Sequence, residues 1–283
     1  MINAFRQLLL DHFVLQPSRG RIDHDHQQRL VIDHGLDSDE CFIQRPNFPD
    51  RSLDQPPDLV IIKFPGIKGR AERASPWPAG LVGRDVLQVS WNPPGYGRTT
   101  GRASISHIAR RASVFVRLIT EHLRLEHTPI WLYGNSMGCA TTGAVAASSD
   151  MSCPDNVCGI VLRNPPPLVE VIKQQAKGHV LGRWADPIAD SLPAEMNLLR
   201  TARQIQLPML VVQSELDELV PTTLQDRVVS VWAGPKQRVV IPAADHSGTL
   251  TEEHDQLLGP AVKWLIEQSL SMAKLDDVSA HSH

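Results

Sequence analysis

The chain has 283 residues, 42% of them apolar and 21% charged, with a net charge of -3. The composition fits a soluble globule with a sizeable core, and the length fits one large α/β domain or two small ones. The balanced charge excludes a global pull toward nucleic acid or an anionic membrane, and no stretch approaches the roughly 20 apolar residues of a bilayer span.

Near the N-terminus the longest apolar run is Leu8-Leu9-Leu10, broken by Asp11 and His12. That is too short for a signal peptide, so the protein is expected to be cytoplasmic, without stable membrane insertion. Residues 5–15 are read as a helix or strand on the domain edge rather than an amphipathic arm on lipid. In Asp23-His24-Asp25-His26, a strand would point aspartates and histidines to opposite faces. A solvated hairpin is therefore expected there, not a metal site. Cys41, Cys139, Cys153 and Cys158 show no C-x-x-C spacing, and no disulfide is expected between Cys153 and Cys158.

Two antiparallel strands are predicted at 30–33 and 41–44. Apolar runs predict strands at 59–64, 86–91, 129–133, 159–163 and 209–213, with a last strand at 238–241. A helix is predicted from 104 to 122, with Ile105, Ile108, Ala112, Phe115, Val116 and Ile119 on one face. A last helix carries Leu258, Val262, Leu265, Ile266 and Leu270. Such alternation implies an α/β domain with a mostly parallel sheet covered on both faces, binding ligands at the carboxyl ends of its strands. Residues 164–207 begin with Asn164-Pro165-Pro166-Pro167 and are too long for a simple crossover. They are read as a small helical cap over the site, and residues 272–283 as a flexible tail, within one domain spanning 1–283.

Gly134-Asn135-Ser136-Met137-Gly138 lies between a predicted strand and a run of small residues suited to a packed helix. A serine on such a strand-to-helix turn has its hydroxyl pushed out above the sheet, and the new helix aims free N–H groups at the same spot. The competing reading is a serine capping an ordinary helix. A serine hydroxyl needs a base to take its proton and an acid to orient that base. Downstream, Glu215, Asp217 and Glu218 follow one strand, and Asp245 and His246 follow the last.

The chain order Ser136, Asp217, His246 resembles the α/β-hydrolase fold family, over roughly residues 59–270. The resemblance implies an eight-stranded, mostly parallel sheet with helices on both faces and a small cap. It implies Ser136 as nucleophile, His246 as general base and then acid, and Asp217 as the group that orients the imidazole. Asp217 is preferred because it precedes Leu219-Val220-Pro221; Glu215 is the fallback. The loop Phe64-Pro65-Gly66-Ile67 resembles the family's oxyanion loop, with Pro65 where His is common. Its Ile67 N–H is the candidate second donor beside Met137 N–H. Asn92-Pro93-Pro94-Gly95-Tyr96-Gly97-Arg98 resembles the family's D-x-P-G-x-G-x-S segment, with Asn for Asp, and is assigned an ordering role.

The implied function is a serine hydrolase that cleaves an ester, thioester or related acyl bond of a small molecule through an acyl-enzyme, without cofactor or metal. The rivals are a non-catalytic binding protein of the same fold and a serine peptidase. A dinucleotide-binding reading of Gly95, Gly97 and Gly101 is weaker, because Pro93 and Pro94 remove donors a pyrophosphate needs. Lys68, Arg70, Arg73, Arg98 and Arg102 would edge a pocket for anionic acyl groups, but solvated surface cations are the preferred reading. The oligomeric state is open.

Overall fold

The computed structural model describes residues 2–76, 81, 83–148, 153–177, 182 and 185–280, with side chains from 3 to 271. Eight strands form one sheet: β1 (Gln28–His34), β2 (Asp37–Gln44), β3 (Leu59–Phe64), β4 (Val86–Trp91), β5 (Ile130–Asn135), β6 (Val157–Arg163), β7 (Met209–Ser214) and β8 (Lys236–Ile241). The order is β1-β2-β4-β3-β5-β6-β7-β8. The pairs β1–β2 and β2–β4 are antiparallel and the rest parallel. Every residue of β3, β4 and β7 is buried, as continuous apolar runs require of strands covered on both faces. The strand order reverses at β3, which pairs with β4 on one side and β5 on the other. In open α/β sheets that reversal opens a crevice at the strand ends.

One face is covered by α1 (Ile2–Val14), α2 (Ile105–His122) and α3 (Met137–Ala146), with further packing from later segments. The stripe predicted for α2 is buried as expected. Each such side chain contributes on the order of 1.5–3 kcal/mol relative to exposure. α1 is held by its buried Leu10 and by the Asp11 carboxylate, which accepts the Ile105 N–H at the start of α2 at 2.8 Å. Its Phe5, Leu8 and Phe13 are exposed. No described helix is long and apolar enough to cross a membrane. α8 (Asp255–Ala280) covers β6–β8 on the opposite face, where Trp131 Nε1 donates to Ser269 Oγ at 3.0 Å.

The segment 164–207 holds α4 (Leu168–Ala176), α5 (Ala185–Ala189), a 3-10 turn (Ala194–Met196) and α6 (Leu198–Thr201). Met196, Leu198, Ala202 and Ile205 are buried in the main core, and α6 packs on α3. α7 (Thr222–Val231) follows β7. α8 runs through residue 280, and no glycine or proline follows Pro260 to stop a helix rich in Ala, Leu, Lys and Met; residues 281–283 lie outside the described ones. The β3–β4 connection differs from regular strand–helix alternation. Its described part contains no α-helix, only the 3-10 turn Ala71–Arg73.

Asp23-His24-Asp25-His26 forms a turn before β1, with the Asp25 N–H donating to Asp23 and His24 Nδ1 lying 2.8 Å from Gln27 O. All four cysteines are free thiols.

Candidate active site

Ser136 follows β5 directly and has φ 52 and ψ -122, a conformation that L-residues avoid. The surroundings hold it there. The Ser136 N–H donates to Arg163 O on β6 at 2.9 Å, and the Cys139 N–H to Ser136 O at 2.8 Å. The two flanking glycines are required by close approach. A Cβ on Gly134 would lie 2.5 Å from Cys139 Cα, and one on Gly138 would lie 2.1 Å from Phe64 O. The turn is thus wedged against the loop that follows β3, and Gly66 of that loop faces Ser136.

His246, in the loop after β8, bridges the other two predicted residues. Its Nε2 is 3.0 Å from Ser136 Oγ, and its Nδ1 is 2.7 Å from Asp217 Oδ2. Asp217 is buried after β7, where Oδ1 accepts the Val220 N–H at 2.7 Å and Oδ2 accepts Gln225 Nε2 at 3.3 Å. The fallback acid does something else: exposed Glu215 accepts the Ala243 N–H at 2.9 Å and so ties down the histidine loop. Asp245 accepts the N–H of Ser247 within its own turn. Asp217→Asn is therefore expected to lower kcat by about 10³–10⁴-fold, by upsetting the imidazole tautomer, and Glu215→Gln by less than about tenfold. Steady-state kinetics on one ester checks the ranking; the reverse order would reassign the acid.

Two supporting side chains escaped the sequence reading. Asn164, buried at the end of β6 with φ 49, donates from Nδ2 to Ser214 Oγ at 3.1 Å and to His246 O at 3.3 Å. Its Oδ1 accepts the Ser214 N–H at 2.8 Å. It therefore clamps β6, β7 and the histidine loop together. Gln225 donates to both Asp217 and Val220 O. An asparagine ahead of a proline run at a strand end was the only hint of the first, and nothing local marks the second.

The N–H groups of Met137 and Ile67 donate to no other group among the described residues. The Ile67 carbonyl is fixed by the Tyr96 hydroxyl at 2.7 Å. Of the basic residues near the site, Lys68, Arg98 and Arg102 are exposed, whereas Arg70 is buried and paired with Glu72.

No protein-family profile matches the chain. Two uncharacterized proteins of Mycobacterium tuberculosis, from strains CDC 1551 / Oshkosh and H37Rv, are 25% identical over 201 residues, 71% of this chain and 66% of each relative. The match thus spans just under two thirds of those relatives' length. Among solved structures, an esterase of Pyrococcus furiosus superposes with a TM-score of 0.61 at 13% identity, over 91% of this chain and 98% of that one. Est1E of Butyrivibrio proteoclasticus gives 0.58 at 17%, over 86% and 99%. An acylaminoacyl peptidase of Pyrococcus horikoshii gives 0.56 at 14%, over 84% and 41%. This is an α/β-hydrolase fold.

Within the α/β-hydrolase fold, Asn92 stands at the Asp position of the segment that residues 92–98 resemble, and its contacts give the reason. Asn92 Nδ2 donates to Glu40 Oε2 at 2.9 Å and to Glu72 Oε2 at 3.0 Å, while Oδ1 accepts the Ala71 N–H at 2.9 Å. An aspartate would be a third carboxylate between two others. Burial pushes the Glu40 carboxyl up, but hydrogen bonds from Arg29, the Arg98 N–H and Asn92 outweigh it and hold the group below its ordinary range. The same Glu40 takes up the Arg98 N–H in the glycine loop, and the Gly97 N–H goes to Ser18 O, so neither is available to a pyrophosphate.

Lys63 near the end of β3 is buried on the α8 side of the sheet. Burial, with the Arg163 charge behind it, brings its pKa down to about 7. The unfolded chain, with Lys near 10.4, binds a proton between those values that the native state does not. Stability is therefore expected to rise from pH 7 to pH 9, by at most about 1.4 kcal/mol per unit from this group. Lys63→Met should flatten that slope in urea denaturation; an unchanged slope would refute the assignment.

Proposed function

We propose that the chain is a serine hydrolase that cleaves an ester, thioester or related acyl bond through an acyl-enzyme. The observation that carries this reading is the imidazole of His246 held between the Ser136 hydroxyl and the buried Asp217 carboxylate, at 3.0 and 2.7 Å. In the proposed cycle Ser136 Oγ attacks the carbonyl carbon while its proton passes to His246 Nε2. The Asp217 carboxylate stabilises the imidazolium. The carbonyl π electrons move onto oxygen, and the N–H groups of Met137 and Ile67 are the proposed donors to that oxyanion. Collapse expels the leaving group, which takes the proton from His246. Water then repeats the sequence and frees the acid.

The segment 164–207 is proposed as the cap that governs which acyl groups enter; it begins at Asn164, which is bonded to His246 O. Free thiols at all four cysteines suit a reducing, cytoplasmic setting. Turnover of p-nitrophenyl esters of graded chain length, then of acyl thioesters and peptides, tests the proposal. Hydrolysis of an ester or thioester with multiple turnovers is expected. Turnover of peptides alone would favour the peptidase, and no turnover of any class the binding protein.

A further inference from the structure

Beside the triad lies a cavity of about 230 Å³ on the α8 side of the sheet. Gly66, Asn135, Ser247 and Gly248 are among its lining, so it borders the immediate neighbours of Ser136 and His246. It is smaller than the roughly 300 Å³ at which drug-sized sites begin, so it suits a short group. The described part of the β3–β4 connection borders this space without an α-helix, and charged and polar side chains line it beside Phe64, Trp91, Tyr133 and Leu250. Lys63 and Arg163 project into it from β3 and β6, with the Lys63 ammonium 2.5 Å from Ser75 O and 4.9 Å from the centre of the Tyr133 ring. Arg163 also donates to Gly248 O. Ser90, only 2% exposed, lines the same cavity, and its hydroxyl has no hydrogen-bond partner among the described residues.

The charges in this cavity do not balance. Its described lining includes Lys63, Arg70, Arg73 and Arg163 but no aspartate or glutamate. Arg70 has its own carboxylate in Glu72, and Arg73 is exposed at the rim. Lys63 and Arg163 form no ion pair with a carboxylate among the described residues. Two cations close together in a half-enclosed space are costly unless an anion joins them. A carboxylate is acceptor-only, with about four lone-pair sites. It complements an ammonium, a guanidinium and an unsatisfied hydroxyl on one wall.

We infer that this cavity receives a carboxylate carried on a short chain of the substrate, held by Lys63, Arg163 and Ser90 while the acyl bond lies at Ser136. The inference rests on the hydrolase reading for its substrate and names the class: short acyl compounds with a free carboxylate. It also moves the selective cations away from the exposed Lys68, Arg98 and Arg102.

Calorimetric titration at constant ionic strength and pH 6, below the lowered Lys63 pKa so that the ammonium is charged, tests it without turnover, using glutarate and the monoanion pentanoate as probes on the full chain. Glutarate is expected to bind saturably and at least tenfold more tightly than pentanoate. Lys63→Met and, independently, Arg163→Gln should each weaken glutarate at least tenfold, with circular dichroism checking that each variant is folded. The wild-type comparison of the two probes needs no variant. Equal affinity for the two acids, no binding of glutarate, or glutarate binding that both folded variants keep within twofold would overturn the inference. Because the readout is binding, it stands apart from the hydrolase reading, which fails instead if Ser136 proves unreactive.

Discussion

Ser136→Ala is expected to lower kcat on the best ester substrate by about 10⁴-fold or more, while the thermal midpoint stays within about a degree. The reasoning is geometric. Among the described residues the hydroxyl's one hydrogen bond is to His246, and the turn that positions it is fixed by backbone bonds to Arg163 and Cys139 that alanine leaves intact. Surface-facing changes that sever no buried partner move stability by about 0.5 kcal/mol or less. His246→Ala should cost nearly as much activity, and adding it to Ser136→Ala should cost almost nothing more, since residues that act as one unit are strongly non-additive. Additive losses would mean that the two side chains do not share a step. Loss of folding in Ser136→Ala, seen as a lowered midpoint, would mean the serine is structural.

Asn92→Asp should be the most damaging isosteric change away from the triad, destabilising the chain by about 3 kcal/mol at pH 7. The side-chain amide feeds two buried carboxylates, Glu40 and Glu72, and each would lose a donor and gain a like charge. For a chain of this size such a loss lowers Tm by roughly 6–12 °C. A carboxyl forced to stay protonated in this cluster has a folded pKa above its unfolded value. Its contribution is then present at low pH and lost as pH rises through the folded pKa. The deficit of Asn92→Asp against wild type should accordingly shrink as pH falls from 7 toward 5, whereas that of Asn92→Ala should not. Parallel pH dependence of the two variants would show that lost hydrogen bonds, not charge, set the cost.

The strands were readable because five of them, β3 to β7, are buried runs bounded by turn residues, and a one-dimensional pattern suffices for that. The juxtaposition of Ser136, Asp217 and His246 was readable because each lies within about five residues of the carboxyl end of a strand. Side chains whose meaning depends on strands meeting in three dimensions were not readable. Lys63 sits in the run Leu59–Phe64, where its neighbours predict burial, and only the β3–β5–β6 register brings Arg163 toward it. Asn92 looked like a family variation until Glu40 from β2 and Glu72 from the β3–β4 loop converged on it. Asn164 and Gln225 support the histidine and the acid across 82 and 8 positions of sequence respectively, and no local periodicity encodes either partnership.

The central claim is that His246 and Asp217 make Ser136 a nucleophile. Intact-mass spectrometry after incubation with a fluorophosphonate, followed by peptide mapping, measures that property without knowledge of the substrate. A single adduct on Ser136, absent from Ser136→Ala and slowed at least a hundredfold in His246→Ala, is the predicted result. Folded wild-type protein that takes up no adduct, or takes it up on another residue, would contradict the account.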